Sequence, residues 1–84
     1  MRNRAMEMRH LDQADRHISE GEMRVRAMEA TIGRAVALNM NTDQGRVSLA
    51  LVVDILAVCK AHRLLILRAI ADISHRDRTS DISN

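Results

Sequence analysis

Four histidines, His10, His17, His62 and His75, and a single cysteine, Cys59, are the side chains of this 84-residue chain best suited to metal ligation or proton transfer. His10 and His17 stand two helical turns apart, which puts them on one edge of a helix, and Cys59 and His62 form an i, i+3 pair. Zinc takes such nitrogens and sulfur in a tetrahedron. Neither a His-Glu-x-x-His nor a Glu-x-x-His pattern is present, so the histidines read as edge residues, solvated or paired, with no metal between them. A lone thiol on an apolar seam packs as a small hydrophobe and is inert. Ser19, Ser48, Ser74 and Ser80 have no glycine elbow beside them, and there is no phosphate-cradling loop or dinucleotide turn. The chain is therefore expected to have no catalytic residues, no cofactor and no small-molecule substrate, and not to be an enzyme.

The elements that carry these residues follow from composition and period. Hydrophobic residues make up 46% of the chain and charged ones 29%, with no Phe, Tyr, Trp or Pro. That balance is too apolar for a disordered chain and lacks the aromatic residues favoured in sheets, so an all-α fold is expected. From about Arg4 to Leu38, Leu11, Ile18, Val25 and Ile32 alternate with Ala14, Gly21, Met28 and Ala35 in steps of three and four, an a/d repeat over four heptads. The pattern stops at residues 39–43, Asn-Met-Asn-Thr-Asp, where Asn39 can take a left-handed cap and Asn41 or Thr42 can receive the first amides of a new helix. Asn41 and Gln44 also have capping-box spacing.

The second segment, about Asp43 to His75, carries the seam Leu49, Val52, Leu56, Cys59, Arg63, Ile66, Ile70 and Ile73. It carries a second stripe, Leu51, Ile55, Val58, His62, Leu65 and Ala69, with Val53 and Leu67 elsewhere on the wheel. Residues 1–75 are read as one hairpin and residues 76–84, polar and without period, as a flexible tail. A short turn makes the helices antiparallel, about 50 Å long at 1.5 Å per residue. In the register that centres the turn, Glu22 meets Lys60, His17 lies near His62, Arg24 lies near Ile55, and Arg63 lies across from Gly21.

The expected intrachain seam is thus Leu11, Ile18, Val25, Met28 and Ile32 against Leu49, Val52, Leu56, Ile66 and Ile70. One partner helix cannot cover both stripes of the second helix. The stripe Leu51, Ile55, Val58, His62, Leu65 and Ala69 is read as a dimer interface, closing two antiparallel coiled-coil-like hairpins into a four-helix bundle.

Net charge is only +2, with a sequence pI near 9.5. Arg2, Arg4 and Arg9 cluster near the start and Arg24, Arg26 and Arg34 follow, but acidic residues intervene and no aromatic ring is present to stack on a base. A helical-hairpin dimer is similar in architecture to the plasmid RNA-one-modulator proteins, so nucleic-acid binding is kept as the alternative function. No uncharged apolar run approaches the roughly 18 residues of a membrane span, no secretion signal is recognisable, and the single cysteine points to a reducing cytoplasm.

The run from His10 to Glu22, His-Leu-Asp-Gln-Ala-Asp-Arg-His-Ile-Ser-Glu-Gly-Glu, then Thr42, and Ala61-His62-Arg63-Leu64-Leu65-Ile66-Leu67, resembles a group of short alphaproteobacterial proteins of unknown function. The likeness covers roughly residues 10 to 72 and implies a helical hairpin in a bacterial cytoplasm, with no activity and no functional residue to carry over. The chain departs from that pattern at Leu51, Val53, Ile55 and Val58, where polar residues are expected. The reading as a whole is a non-enzymatic module for protein-protein interaction, a homodimer with capacity for another protein partner.

Overall fold

A computed structural model describes the backbone of residues 3–83 and the side chains of residues 3–77. Two helices, α1 (Arg4–Ala37) and α2 (Asp43–Ser83), account for nearly all of it, and no strand occurs among the described residues. They lie side by side as an antiparallel hairpin measuring 71 × 17 × 15 Å.

Helix α1 begins where Asn3, in extended backbone, accepts the Met6 amide on its side chain at 2.8 Å, and Glu7 adds a carboxylate to the first turn. It ends in a Schellman motif. Asn39 takes the left-handed conformation, φ 57°, while the Met40 amide reaches the Ala35 carbonyl at 2.9 Å and the Asn39 amide reaches Val36 at 3.0 Å. Helix α2 starts at Asp43, three residues after Met40. The Asp43 amide donates to Asn41 Oδ1 at 2.9 Å, and the Thr42 carbonyl accepts from the Arg46 amide at 2.9 Å. Caps at both ends of a five-residue link therefore reverse the chain without proline and with no glycine in the turn.

The seam is made by the a/d positions. Ala14 and Ile66 are buried, and Leu11, Ile18, Val25, Met28, Ile32, Leu49, Val52, Leu56 and Ile70 are each half-buried. Its register is read from two close approaches. A Cβ on Gly21 would stand 3.0 Å from Leu56 Cδ1, and one on Gly45 would stand 3.3 Å from Ile32 Cγ1. The same step separates Gly21 from Ile32 along α1 and Leu56 from Gly45 along α2, as one continuous antiparallel register requires. Gly21 therefore faces Leu56, and Arg63 is displaced to Asp15, correcting the expected Gly21–Arg63 pairing. The physical reason is volume matching. A glycine opposite leucine near the middle, and another opposite isoleucine near the turn, keep the helix axes close along the whole seam.

Two further expectations are corrected. Helix α2 runs on to Ser83 where a tail was read from residue 76, because neither glycine nor proline occurs after Gly45 to stop it. The register puts Ile73 opposite the start of α1, so the rest of α2 overhangs and the molecule exceeds the expected 50 Å length. The final residue of the expected tail, Asn84, lies outside the described residues. Ala69, assigned to the outer stripe, is 8% exposed and closed within the hairpin, at the end where Ile66 and Ile73 are also buried. A single methyl on the flank of a seam is covered by its neighbours more readily than a longer side chain.

Candidate functional site, an open apolar face

The two edges of the seam differ. On one, the acidic row of α1 meets cations of α2: Lys60 Nζ lies 3.6 Å from Glu22 Oε1, as the heptad positions predict, and Arg63 Nε donates to Asp15 Oδ1. These side chains are 38% to 56% exposed, so the pairs are worth little individually, but they bridge the helices and cover the seam from that side.

The opposite edge is open. Three hollows follow one another along it. The first, near the turn, is lined by Arg24, Ala27, Met28, Thr31, Ile32 and Gly45. The second, of about 250 Å³, lies between His17, Glu20, Gly21 and Arg24 of α1 and Val52, Ile55, Leu56 and Cys59 of α2. The third, of about 460 Å³, lies between Met6, Glu7, His10 and Gln13 and His62, Leu65 and Ile66. The cause is legible in the side chains. On this edge α1 presents imidazoles, Gln13, Arg24 and Thr31 to an apolar row of α2, and Gly21 leaves a gap beside Leu56.

Of the expected dimer-interface residues, Leu51, Ile55, Val58, His62 and Leu65 are all exposed, Val58 to 68% and Leu51 to 60%. They form a ridge beside the hollows, with Ile55, His62 and Leu65 in their walls. Ala69 alone is withdrawn from it.

His10, His17 and His62 come around one small cavity with Gln13 and Ala14. The sequence brings His17 towards His62 through the heptads, and His10 joins them from two turns earlier in α1. Even so, no group of three or more His, Cys, Asp or Glu among the described residues is placed to hold a metal ion. His75 lies farther along α2, and Cys59 is half-buried in the seam. Sequence reasoning missed Glu7. It is 4% exposed at a d position one heptad before Ala14, and its Oε2 lies 3.7 Å from His10 Nδ1. Extending the heptads back from Leu11 would have found it.

The arginines are spread rather than gathered. Arg34 Nη2 donates to Thr31 Oγ1 at 3.2 Å, Arg46 Nε donates to Thr42 Oγ1 at 2.9 Å, and Arg63 is held by Asp15. Arg2 lies outside the described residues. No helix among the described residues is long and apolar enough to cross a membrane. The chain matches no protein-family model, no curated protein and no solved structure.

Proposed function

We propose that the protein is a non-enzymatic, self-associating helical-hairpin module: a homodimer closed into a four-helix bundle, which offers its polar outer faces to other proteins. One observation carries the reading. The hairpin exposes 6732 Å², whereas a compact monomer of 9.5 kDa exposes about 5,000 Å². The excess, about 1,700 Å², reflects the elongated shape and is of the size each partner covers in an obligate dimer, whose interfaces total about 2,000 to 5,000 Å². Much of it is hydrocarbon: Val47, Leu51, Ile55, Val58 and Leu65 share one face of α2 and are each more than half exposed. Covering an aliphatic side chain fully is worth about 1.5 to 3 kcal/mol, so an uncovered row of this length is costly in water.

The single cysteine fits a reducing bacterial cytoplasm, and the resemblance to short alphaproteobacterial hairpins fits the same setting. Nucleic-acid binding is the second reading. It has less support, because Arg34, Arg46 and Arg63 are engaged within the chain and no aromatic residue is present.

Thermal unfolding followed by circular dichroism tests the reading by mass action. If folding and pairing are linked, the Tm rises by several degrees as protein concentration is raised a hundredfold. A Tm independent of concentration contradicts it. Salt-sensitive binding to a generic duplex RNA would favour the second reading instead.

A further inference from the structure

We infer that the edge opposite the Asp15–Arg63 and Glu22–Lys60 bridges is the surface that receives a second copy of this chain, with a two-fold axis passing beside Val58. The inference rests on the self-association proposed above and adds which face is used and how the copies are set.

Three observations converge on it. The first is the asymmetry of the seam, bridged by ion pairs on one edge and hollowed on the other. A partner on the bridged edge would have to strip water from four charged side chains, a cost that is not recovered unless each finds new partners. A partner on the open edge also meets Glu20, Arg24 and three imidazoles, but beside them it covers the exposed Leu51, Ile55, Val58 and Leu65 and fills the hollows. The second is symmetry. Leu51 and Leu65 stand two turns before and after Val58 on one face of α2, all three more than half exposed. An isologous contact puts residue i against j and j against i, so an antiparallel approach sets Leu51 of each copy against Leu65 of the other and Val58 against Val58. A stripe built for an unrelated helix has no need to read alike from both ends. The third is area. The surplus surface of one hairpin matches the share of one partner in an obligate interface, and a second hairpin brings an equal surplus.

The hollows complete the fit. Side chains of the second α2 ridge enter the gaps beside Gly21 and beside His62, where the wall is Ile55, Leu56, Leu65 and Ile66. The imidazoles of His10 and His17 on α1 then form the polar border of an aliphatic contact that takes in His62.

Matched substitutions test the face. Val58→Glu places a carboxylate on the ridge, while Val53→Glu places one two turns before Lys60, in the row that carries the bridges. Light-scattering mass is measured for both beside the unsubstituted chain, with circular dichroism as the check on helicity. The expected result is a dimer for the unsubstituted chain and for Val53→Glu, and a monomer for Val58→Glu, whose Kd is raised at least a hundredfold. A dimer that survives Val58→Glu, or that Val53→Glu dissociates, overturns the face. A mass above the dimer for the unsubstituted chain overturns the two-copy arrangement. A monomeric unsubstituted chain instead overturns the self-association reading itself.

Cysteine cross-linking keeps the test open if Val58→Glu fails to fold. In a Cys59→Ser background, Val58→Cys brings two thiols together at the axis. Oxidised glutathione takes their two electrons and two protons, leaving one intermolecular disulfide and two reduced glutathione molecules. A covalent dimer from Val58→Cys and none from Val53→Cys is expected. The reverse, or no cross-link from Val58→Cys at a concentration where the chain is dimeric, overturns the axis.

Discussion

Arg63 of α2 donates its Nε hydrogen to Oδ1 of Asp15 on α1, bridging the two helices on the edge away from the hollows. The pair is about half exposed, so its coupling measured by a double-mutant cycle with Asp15→Asn and Arg63→Gln is expected at about 0.2 to 1 kcal/mol. Added salt lowers it. Coupling well above that range, unaffected by salt, would show that the bridge is shielded and that a partner covers this edge.

Glycine at two positions of α1 separates helix propensity from packing. Nothing lies within 4 Å of a Cβ built on Gly33, so Gly33→Ala gains about 1 kcal/mol of propensity at no steric cost. Gly21→Ala gains less, because Leu56 Cδ1 must yield from 3.0 Å, although the hollow beside it gives the side chain room to do so. Urea unfolding of the two variants at equal protein concentration checks the order. An equal or larger gain at Gly21 would mean that the helices stand farther apart than the seam register places them.

The turn depends on Asn39, which holds φ 57° at the end of α1. Replacing it with alanine costs about 1 kcal/mol, since a left-handed conformation is strained for a Cβ-bearing residue without a side chain that bonds locally. Glycine in its place is neutral or stabilising. Urea unfolding of Asn39→Ala and Asn39→Gly at one concentration shows the difference, and a destabilising glycine would contradict the cap.

His62 is the polar member of the exposed ridge, between Val58 and Leu65. His62→Leu completes the apolar row in both copies and is expected to tighten pairing more than tenfold, each aliphatic side chain contributing more than 1 kcal/mol when covered. Sedimentation equilibrium measures the dissociation constant. A weaker dimer would mean that the imidazole makes a bond across the interface that leucine lacks.

Much of the fold was legible because the seam is a plain heptad record. The a/d positions of α1, the break at residues 39–43 and the Glu22–Lys60 pair follow from spacing alone. The pairing of Arg63 did not. Centring the turn sets register only to within a helical turn, and the choice is made by side-chain volume, with Gly21 taking Leu56 and Gly45 taking Ile32. The end of α2 is not legible from apolar period, which fades after His75, because without glycine or proline the backbone simply continues as helix. The ridge Leu51–Ile55–Val58–Leu65 was visible as a second stripe. That one edge is bridged and the other hollowed was not, since it depends on which side chains of the partner helix meet each row.

The most direct test of the central claim is the solution mass of the unsubstituted chain over a concentration series, by light scattering after size exclusion. Refractive index serves as the concentration measure because the chain has no Trp or Tyr. The account predicts a mass twice 9.5 kDa, held down to low micromolar concentration. A mass of 9.5 kDa throughout the series would contradict it.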